Sequence, residues 1–262
     1  MGLVNVEGAP RMPVLMPPST SRMPERFRPV VAIIPARGGS KRIPGKALAK
    51  VGKTSLLDRA VVQAQRLARR GWIDHVLVST EDAAIRKAAI RSGGVVLSRP
   101  RRLATDGAST LAVLRHAIRA LGIPPGATVV LLQATSPLRE DADIVACLRR
   151  HARGGVDAVV TATAAHPPPQ WMFADAGDRL GRPATGGRRA FLRLNGAVYV
   201  AGAGFLLRKG FTQGRCAVVR MPAERSVDVD TQLDLIAAKA LMATLPSQPI
   251  GNRAAAKRGS VR

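Results

Sequence analysis

The chain has 262 residues, of which 41 are Lys or Arg and 17 are Asp or Glu, so its formal net charge at pH 7 is +24. Its hydrophobic fraction of 46% is ordinary for a globular protein and argues against a chain that is disordered throughout. Two cysteines are too few for a disulfide scaffold, and no apolar run approaches the ~20 residues that cross a bilayer.

Short apolar runs alternate with segments of helical periodicity along most of the chain. This alternation predicts βαβ units and a mostly parallel sheet with helices on both faces, an α/β fold. The predicted strands are Val30–Ile34, His75–Ser79, Val95–Leu97, Thr128–Leu132, Ala158–Thr163, Ala197–Val200 and Ala217–Arg220. The predicted helices are Ser55–Arg70, Asp82–Arg91, Ala108–Leu121, Asp141–Ala152 and Thr231–Ala243.

The composition divides the chain into one domain with two loose ends. Residues 1–28 are rich in Pro and Ser without a sustained period and predict a disordered leader, whereas 246–262 predict a flexible basic tail. The domain between them, 29–245, carries an insertion of Pro, Gly and Arg at about 165–194. Because the leader lacks the apolar core of a signal peptide, we expect a cytoplasmic protein.

The positive charge suggests a polyanionic partner such as nucleic acid, anionic lipid or a phosphate-rich substrate. The basic residues are spread along the chain, and aromatic residues make up only 3%, so surfaces for base stacking are scarce. A solvated, arginine-rich surface explains the charge equally well. We therefore expect neither a nucleic-acid nor a membrane partner.

The loop after the first predicted strand concentrates glycines and cations in the sequence PARGGSKRIPGK, residues 35–46. Two adjacent glycines let backbone N–H groups turn around an anion, and Arg37, Lys41, Arg42 and Lys46 add charge-assisted donors. Because so many cations need several negative charges opposite them, the loop indicates a triphosphate site. The alternative, a solvated turn, is disfavoured by the position directly after a strand.

A second stretch, ALAKVGKT at residues 47–54, resembles a relaxed Walker A phosphate loop. That motif must leave a buried strand directly, and the preceding KRIPGK cannot form one. We interpret Gly52 and Lys53 as a turn before the next helix.

Six blocks resemble, in order, those of the acylneuraminate cytidylyltransferases, the CMP-sialic acid synthetases. They are PARGGSKRIPGK (35–46), VSTED (78–82), RPRRLATDGAST (99–110), LLQATSPLR (131–139), NGAVYV (195–200) and SVDVDTQLD (226–234). One such block is weak evidence, whereas six in the same order are specific.

The resemblance implies a Rossmann-like nucleotidyltransferase fold and transfer of CMP from CTP to the anomeric hydroxyl of a nonulosonic, sialic-type acid, with release of pyrophosphate. It implies Mg²⁺ as the cofactor, bound by Asp228 and Asp230, and a sugar acid faced by Gln133 and Asn195. The nucleotide-binding residues that it implies are Arg37, Gly38, Gly39, Ser40, Lys41, Lys46, Arg99, Ser109 and Thr110. Of these, Arg37 and Lys46 would act in catalysis together with the two aspartates.

The resemblance also implies a homodimer, with Trp171, Phe173 and Phe191 as candidate apolar interface residues.

Residue chemistry agrees with the proposed metal ligands. Asp228 and Asp230 are two apart in an extended run, so both carboxylates project from one face, and Mg²⁺ prefers one or two carboxylates with phosphate oxygens and water. A solvated loop and a helix N-cap are the alternative. Gln133 and Asn195 have a comparable alternative as turn residues, and we expect Asp106 to organise its own loop and the start of the next helix.

Two departures from the family pattern affect these expectations. Ala47 stands where the family usually has Asn, and His166-Pro167 lacks the lysine that usually follows, so an arginine of the insertion is needed for the sugar carboxylate. Two alternative functions stay open: the same fold acting on another sugar acid or sugar phosphate, and a non-enzymatic polyanion-binding descendant. The paired aspartates argue against the second, because a polyanion binder gains nothing from them.

Overall fold

A computed structural model describes residues 22–169, 172–175, 180–183 and 191–244. Its strands are β1 (Val30–Pro35), β2 (Lys50–Val51), β3 (Thr54–Ser55), β4 (His75–Thr80), β5 (Val95–Ser98), β6 (Thr128–Leu132), β7 (Ala158–Ala164), β8 (Phe173–Asp175), β9 (Leu180–Pro183), β10 (Leu192–Gly202) and β11 (Cys216–Arg220). Its helices are α1 (Leu56–Arg69), α2 (Ala83–Arg91), α3 (Thr110–Ala120), α4 (Asp141–Ala152), α5 (Ala203–Arg208) and α6 (Gln232–Thr244).

Seven strands form one sheet in the order β11-β7-β10-β6-β1-β4-β5. β1 pairs in parallel with β4 and β6, β5 pairs in parallel with β4, and β11 pairs in parallel with β7. β10 runs antiparallel between β6 and β7. The prediction of a mostly parallel α/β sheet is therefore confirmed, and the antiparallel strand is the exception.

The sheet is covered on both faces because alternate residues of each buried strand point to opposite sides. In β1, Ala32 and Ile34 pack into the apolar cluster that holds α1, α2 and α4, whereas Val31 and Ile33 pack into the cluster that holds α3 and α5. This two-sided burial explains why the central strands read as continuous apolar runs.

Side-chain caps fix where the helices begin. Ser55 accepts a hydrogen bond from the N–H of Asp58 at the start of α1, and Asp82 accepts one from Ile85 at the start of α2. Such caps satisfy N–H groups that the first helical turn leaves without partners. The tight β2–β3 hairpin turns at Gly52, which has a φ of +66°, and this agrees with the predicted turn.

The described residues include part of the predicted leader. Residues 22–28, which the sequence analysis assigns to the leader, pack against it: Met23 is buried, and Arg28 forms an ion pair with Asp74 at 2.5 Å. Residues 1–21 and 245–262 lie outside the described part, so the rest of the leader and the tail stay predictions. No helix of the described part is long and apolar enough to cross a membrane.

The segment 165–194 contains the antiparallel β8–β9 pair and the beginning of β10. Of its candidate interface residues, Phe191 is partly exposed, Phe173 lies in β8, and Trp171 falls outside the described residues. The homodimer stays a prediction.

Candidate active site

A cleft of about 230 Å³ opens at the carboxyl ends of the parallel strands, where the loops after β1, β5 and β6 meet. Open α/β sheets bind their ligands at this edge. Six of the predicted site residues line the cleft: Arg37, Ser40, Lys46, Arg99, Thr110 and Gln133.

Residues 36–45, the basic loop, form one wall of the cleft. The N–H of Gly38 donates to Glu81 Oε1 at 2.8 Å, and the N–H of Ser40 donates to the Gly38 carbonyl at 2.9 Å. The N–H groups of Gly38 and Ser40 are therefore engaged inside the protein. Binding of an anion by the backbone of both glycines stays a prediction, and the cationic side chains of the loop are the donors that line the cleft.

Gly38 is required for a different reason, a close approach to α2. A Cβ atom at this position would lie 2.9 Å from Asp82 Cγ and closer still to Asp82 Oδ2, whereas a Cβ atom on the exposed Gly39 would meet nothing within 4 Å. The first glycine therefore lets the basic loop lie against the capped start of α2.

Arg99 holds the basic loop in place through hydrogen bonds to Glu81 and to the Ala36 carbonyl. Its side chain is 3% exposed, and its Nη2 donates to Glu81 Oε2 at 2.6 Å and to the Ala36 carbonyl at 3.0 Å. Glu81 thus joins Arg99 to the N–H of Gly38. We expected Arg99 near the nucleotide, and it does line the cleft, but its guanidinium is committed to positioning the loop. Glu81 is not among the residues predicted for the site.

Asp106 faces the basic loop across the cleft. It forms ion pairs with Arg37 Nη2 at 2.6 Å and with Lys41 Nζ at 3.0 Å, and these hydrogen bonds hold the pKa of its carboxyl below the usual value. The expected role of Asp106 in starting the next helix is wrong, because the Ser109 hydroxyl caps α3 by accepting from the N–H of Ala112.

The cap also places Ser109 and Thr110 differently, although both are predicted to bind nucleotide. Thr110 lines the cleft, whereas the Ser109 side chain turns to its own helix and lines a neighbouring groove.

Lys46 connects the basic loop to the segment that precedes α6. Its Nζ lies 2.7 Å from Asp230 Oδ1, and Arg42 lies 3.8 Å from the other oxygen of the same carboxylate. The loop predicted to hold a triphosphate and one of the predicted metal ligands are therefore neighbours, although 184 positions separate them in sequence.

Asp228, the other predicted metal ligand, lies beside Gly196. Its Oδ1 is buried and has no hydrogen-bond partner among the described residues, and its Oδ2 would lie 3.4 Å from a Cβ atom on Gly196. Gly196 has a φ of +73°, and Gln133 Nε2 would lie 3.3 Å from the same Cβ. Burial raises the pKa of Asp228, and the negative charge of Asp230 raises it further.

This environment suits a cation. A buried oxygen of an ionised carboxylate that lacks a hydrogen-bond partner is costly; Thr135 and Lys46 offset part of the cost at Asp228, and a bound cation would offset more. The described residues contain no cluster of three or more His, Cys, Asp or Glu side chains able to hold a metal alone. Asp228 and Asp230 fit an ion that takes its other ligands from phosphate and water, which is how proteins usually bind Mg²⁺.

Gln133 is held at the cleft by Arg139. The Arg139 guanidinium is buried, and it donates to the carbonyls of Gln133 at 3.1 Å and Ala197 at 2.7 Å and to Gln63 Oε1 at 3.0 Å. Burial lowers the pKa of Arg139 to about 10. Its hydrogen bonds tie the loop after β6 to the bend of β10 and so bring Gln133 beside Gly196.

Asn195 does not face the cleft, which corrects its predicted contact with a sugar acid. It is 1% exposed, its oxygen accepts from the hydroxyl of Thr161 and the N–H of Ala197, and its amide nitrogen donates to Ser226 and to the sulfur of Met221. All four hydrogen-bonding positions of the amide are thus occupied within the protein. Asn195 secures the bend of β10 against the segment that leads to Asp228.

A family comparison agrees with this geometry. Residues 31–167 match the family model described as Cytidylyltransferase. The chain belongs to the cytidylyltransferase family. The membership confirms the resemblance seen in the sequence, and the matched range contains the basic loop and Gln133 but ends before the aspartate pair.

Individual relatives cover most of the chain at modest identity. The chain is 26% identical to "Post-translational flagellin modification protein B" of Campylobacter coli over 78% of this chain and 91% of that protein. It is 26% identical to "CMP-N,N'-diacetyllegionaminic acid synthase" of Legionella pneumophila over 81% and 96%, respectively. It is 30% identical to "N-acylneuraminate cytidylyltransferase" of Streptococcus agalactiae over 79% of this chain but only 51% of that protein, so it spans about half of that relative's length.

Solved structures of similar fold include CMP:2-keto-3-deoxy-manno-octonic acid synthetase complexed with CTP. It has a TM-score of 0.63 and 19% identity and covers 82% of this chain and 98% of its own. At this identity the likeness shows the fold alone, which is the expected nucleotidyltransferase α/β fold.

Proposed function

We propose that this cytidylyltransferase transfers CMP from CTP to the anomeric hydroxyl of a nonulosonic acid and releases pyrophosphate. The observation that carries the proposal is the convergence of Lys46, Asp230, Asp228 and Gln133 at one edge of the sheet. A cationic loop, two carboxylates and a neutral amide at one place suit a reaction between a nucleoside triphosphate and a polar acceptor.

The cleft and the basic loop suggest how CTP binds. The cleft volume of about 230 Å³ is below the ~300 Å³ of small ligand pockets, so it suits the nucleoside part, with the phosphates outside it along the basic loop. Arg37 and Lys41 already hold a carboxylate of Asp106, and phosphate oxygens would take over those contacts.

Asp228 and Asp230 are the residues proposed to hold Mg²⁺, with Lys46 beside them. When bound, the ion would neutralise charge on the phosphates and orient them. The acceptor oxygen forms a bond to the α-phosphorus, the bond from that phosphorus to the bridging oxygen of pyrophosphate breaks, and the hydroxyl proton is released. Lys46 contributes a fixed positive charge for the negative charge that develops on the phosphates.

Gln133 is proposed to orient the acceptor, because its amide lies beside Gly196 and Asp228 and is free of a side-chain partner among the described residues. The nonulosonic class rests on the names of the relatives from Streptococcus agalactiae and Legionella pneumophila. We also propose that the enzyme works in the cytoplasm, where CTP is available, and as a homodimer, which light scattering of the purified protein tests.

The deciding experiment measures pyrophosphate release from CTP and Mg²⁺ with a panel of acceptors. The panel contains N-acetylneuraminic, diacetyllegionaminic and 3-deoxy-manno-octulosonic acids and a sugar phosphate. We expect release that depends on a nonulosonic acid and is lost in Asp228→Asn. The matched control is Glu224→Gln, which removes an exposed carboxylate four residues away that forms no ion pair within the described part of the chain.

The acceptor that supports pyrophosphate release distinguishes the proposed function from its alternatives. Release with the octulosonic acid or the sugar phosphate alone would keep the cytidylyltransferase and reject the nonulosonic acceptor. No release with any acceptor, together with RNA binding that does not need CTP and weakens steeply with salt, would favour the polyanion-binding alternative.

A further inference from the structure

A second concave surface lies beside the cleft, along the outer side of α3. This surface, the α3 groove, has a volume of about 590 Å³ and includes Arg102, Leu103, Ser109, Arg115, His116 and Arg119. None of the residues assigned to catalysis or metal binding lines it, and only Ser109 was predicted to bind nucleotide.

Three arginines line this groove. Arg115 and Arg119 are four residues apart on α3, so they share one helix face, and Arg102 comes from the short 3-10 helix Arg101–Leu103. No acidic residue lines the groove, and none of the three forms an ion pair within the described part of the chain. Within residues 22–169 and 191–244, the one hydrogen bond of these side chains joins Arg115 Nε to the Leu206 carbonyl at 2.8 Å.

His116 lines the same groove, and the positive charge of Arg102 affects its pKa. Both of its ring nitrogens are buried and have no hydrogen-bond partner in the described residues. Burial lowers its pKa, and the positive charges of Arg102 and Arg99 lower it further. Burial and the nearby cations thus favour the neutral imidazole, and an anion in the groove beside Arg102 would oppose the effect of that charge.

We propose that the α3 groove binds a small phosphate-bearing anion. Arginine is suited to phosphate oxygens through paired N–H donors, and three arginines around one concave surface match a group that carries two or more negative charges. The Ser109 hydroxyl can donate as well, because its cap to α3 uses it only as an acceptor.

The shape of the groove favours a small molecule over nucleic acid. Leu103, Ala112 and Ala120 give it an apolar floor, and its volume lies within the range of small-molecule pockets. Apart from His116 no aromatic side chain lines it, so it lacks the stacking platform with which proteins hold single strands. Leu103 also lines the nucleotide cleft, so the two sites share a wall.

The test follows His116 in the full chain by NMR, without CTP, so that its outcome is independent of the proposed function. The protein has four histidines, and His116→Gln assigns the signal. Inorganic phosphate, pyrophosphate and CMP are titrated separately at constant ionic strength, with sodium chloride as the blank, which distinguishes free phosphate from a phosphate carried by a nucleotide. We expect a saturable change in the His116 signal and a rise in its pKa with at least one of the three.

The variant Arg102→Gln/Arg119→Gln should weaken that binding at least about tenfold, because two charge-assisted contacts are lost. Both side chains are exposed, so the fold should persist, which thermal unfolding verifies. The matched control is Arg91→Gln, an exposed arginine at the end of α2, on the opposite face of the sheet, with no ion pair among the described residues. A His116 response equal to that of sodium chloride, or one kept in the double variant, overturns the proposal. So does tight binding of single-stranded RNA at the same arginines with no response to the small anions.

Discussion

Replacing Gly38 by alanine tests whether the close approach between the basic loop and α2 is essential. The added Cβ would collide with the Asp82 carboxylate, which cannot simply rotate away because its Oδ1 caps α2 by accepting from Ile85 at 2.8 Å. Either the cap or the loop must move. Loss of an N-cap destabilises by about 1 kcal/mol, and loss of a hydrogen bond to a charged group, here Gly38 to Glu81, by about 1.5–3 kcal/mol.

We therefore expect Gly38→Ala to lower the free energy of unfolding by about 1–3 kcal/mol. For a domain of this size that corresponds to a fall in Tm of about 3–9 °C, measured by circular dichroism. The KM for CTP should rise as well, because the loop carries Arg37 and Lys41. Gly39→Ala is the matched control: its Cβ meets nothing, so the free energy of unfolding should change by less than about 0.5 kcal/mol. Equal Tm values for the two variants would refute the reasoning.

Three further substitutions test the roles of charged side chains in stability and in CTP binding. Because burial raises the pKa of Asp228 in the folded protein, stability falls as the pH rises from the pKa of the unfolded chain to that of the folded protein, so Asp228→Asn should raise Tm at pH 8 but not at pH 3, while activity is lost. Asp106→Asn removes the carboxylate that competes for Arg37 and Lys41, so the KM for CTP should fall in steady-state assays. Arg225→Ala removes the ion-pair partner of the buried Asp143, which keeps only its hydrogen bond from the N–H of Glu140 among the described residues, and should cost about 3 kcal/mol in urea unfolding, whereas loss of the exposed Arg215 should cost less than about 0.5 kcal/mol.

Much of the fold could be predicted because its signals are local. The apolar run at residues 30–34 and the periodicity after Ser55 depend on burial and capping within a few residues, and the structure places β1 and α1 within one residue of those predictions. The partners of β10 could not be predicted in this way. A run of four apolar residues at 197–200 does not indicate an antiparallel strand of 11 residues between two others, since register and direction depend on distant contacts.

The site residues divide in the same way into those that a local pattern predicts and those that depend on distant contacts. The cations of the basic loop could be recognised beside their strand, but Glu81 and Asp106 take their roles from contacts with residues far away in sequence, and no spacing rule indicates them. Asn195 illustrates the opposite error. A polar residue before a glycine resembles an exposed turn, yet Asn195 is buried, and three of its four hydrogen bonds join it to distant elements.

The central position of β10 also limits the order in which the chain can assemble. During synthesis, β6, β1, β4 and β5 are complete once Leu132 has emerged, but the neighbour that covers β6 arrives only with residues 192–202. Until then β6 presents an unpaired edge of apolar sequence, the kind of edge that recruits strands from other chains. A fragment ending with the stretch that matches the family model, at residue 167, would keep this edge permanently. Truncated forms of the chain should therefore aggregate even though they retain the basic loop and most of the cleft.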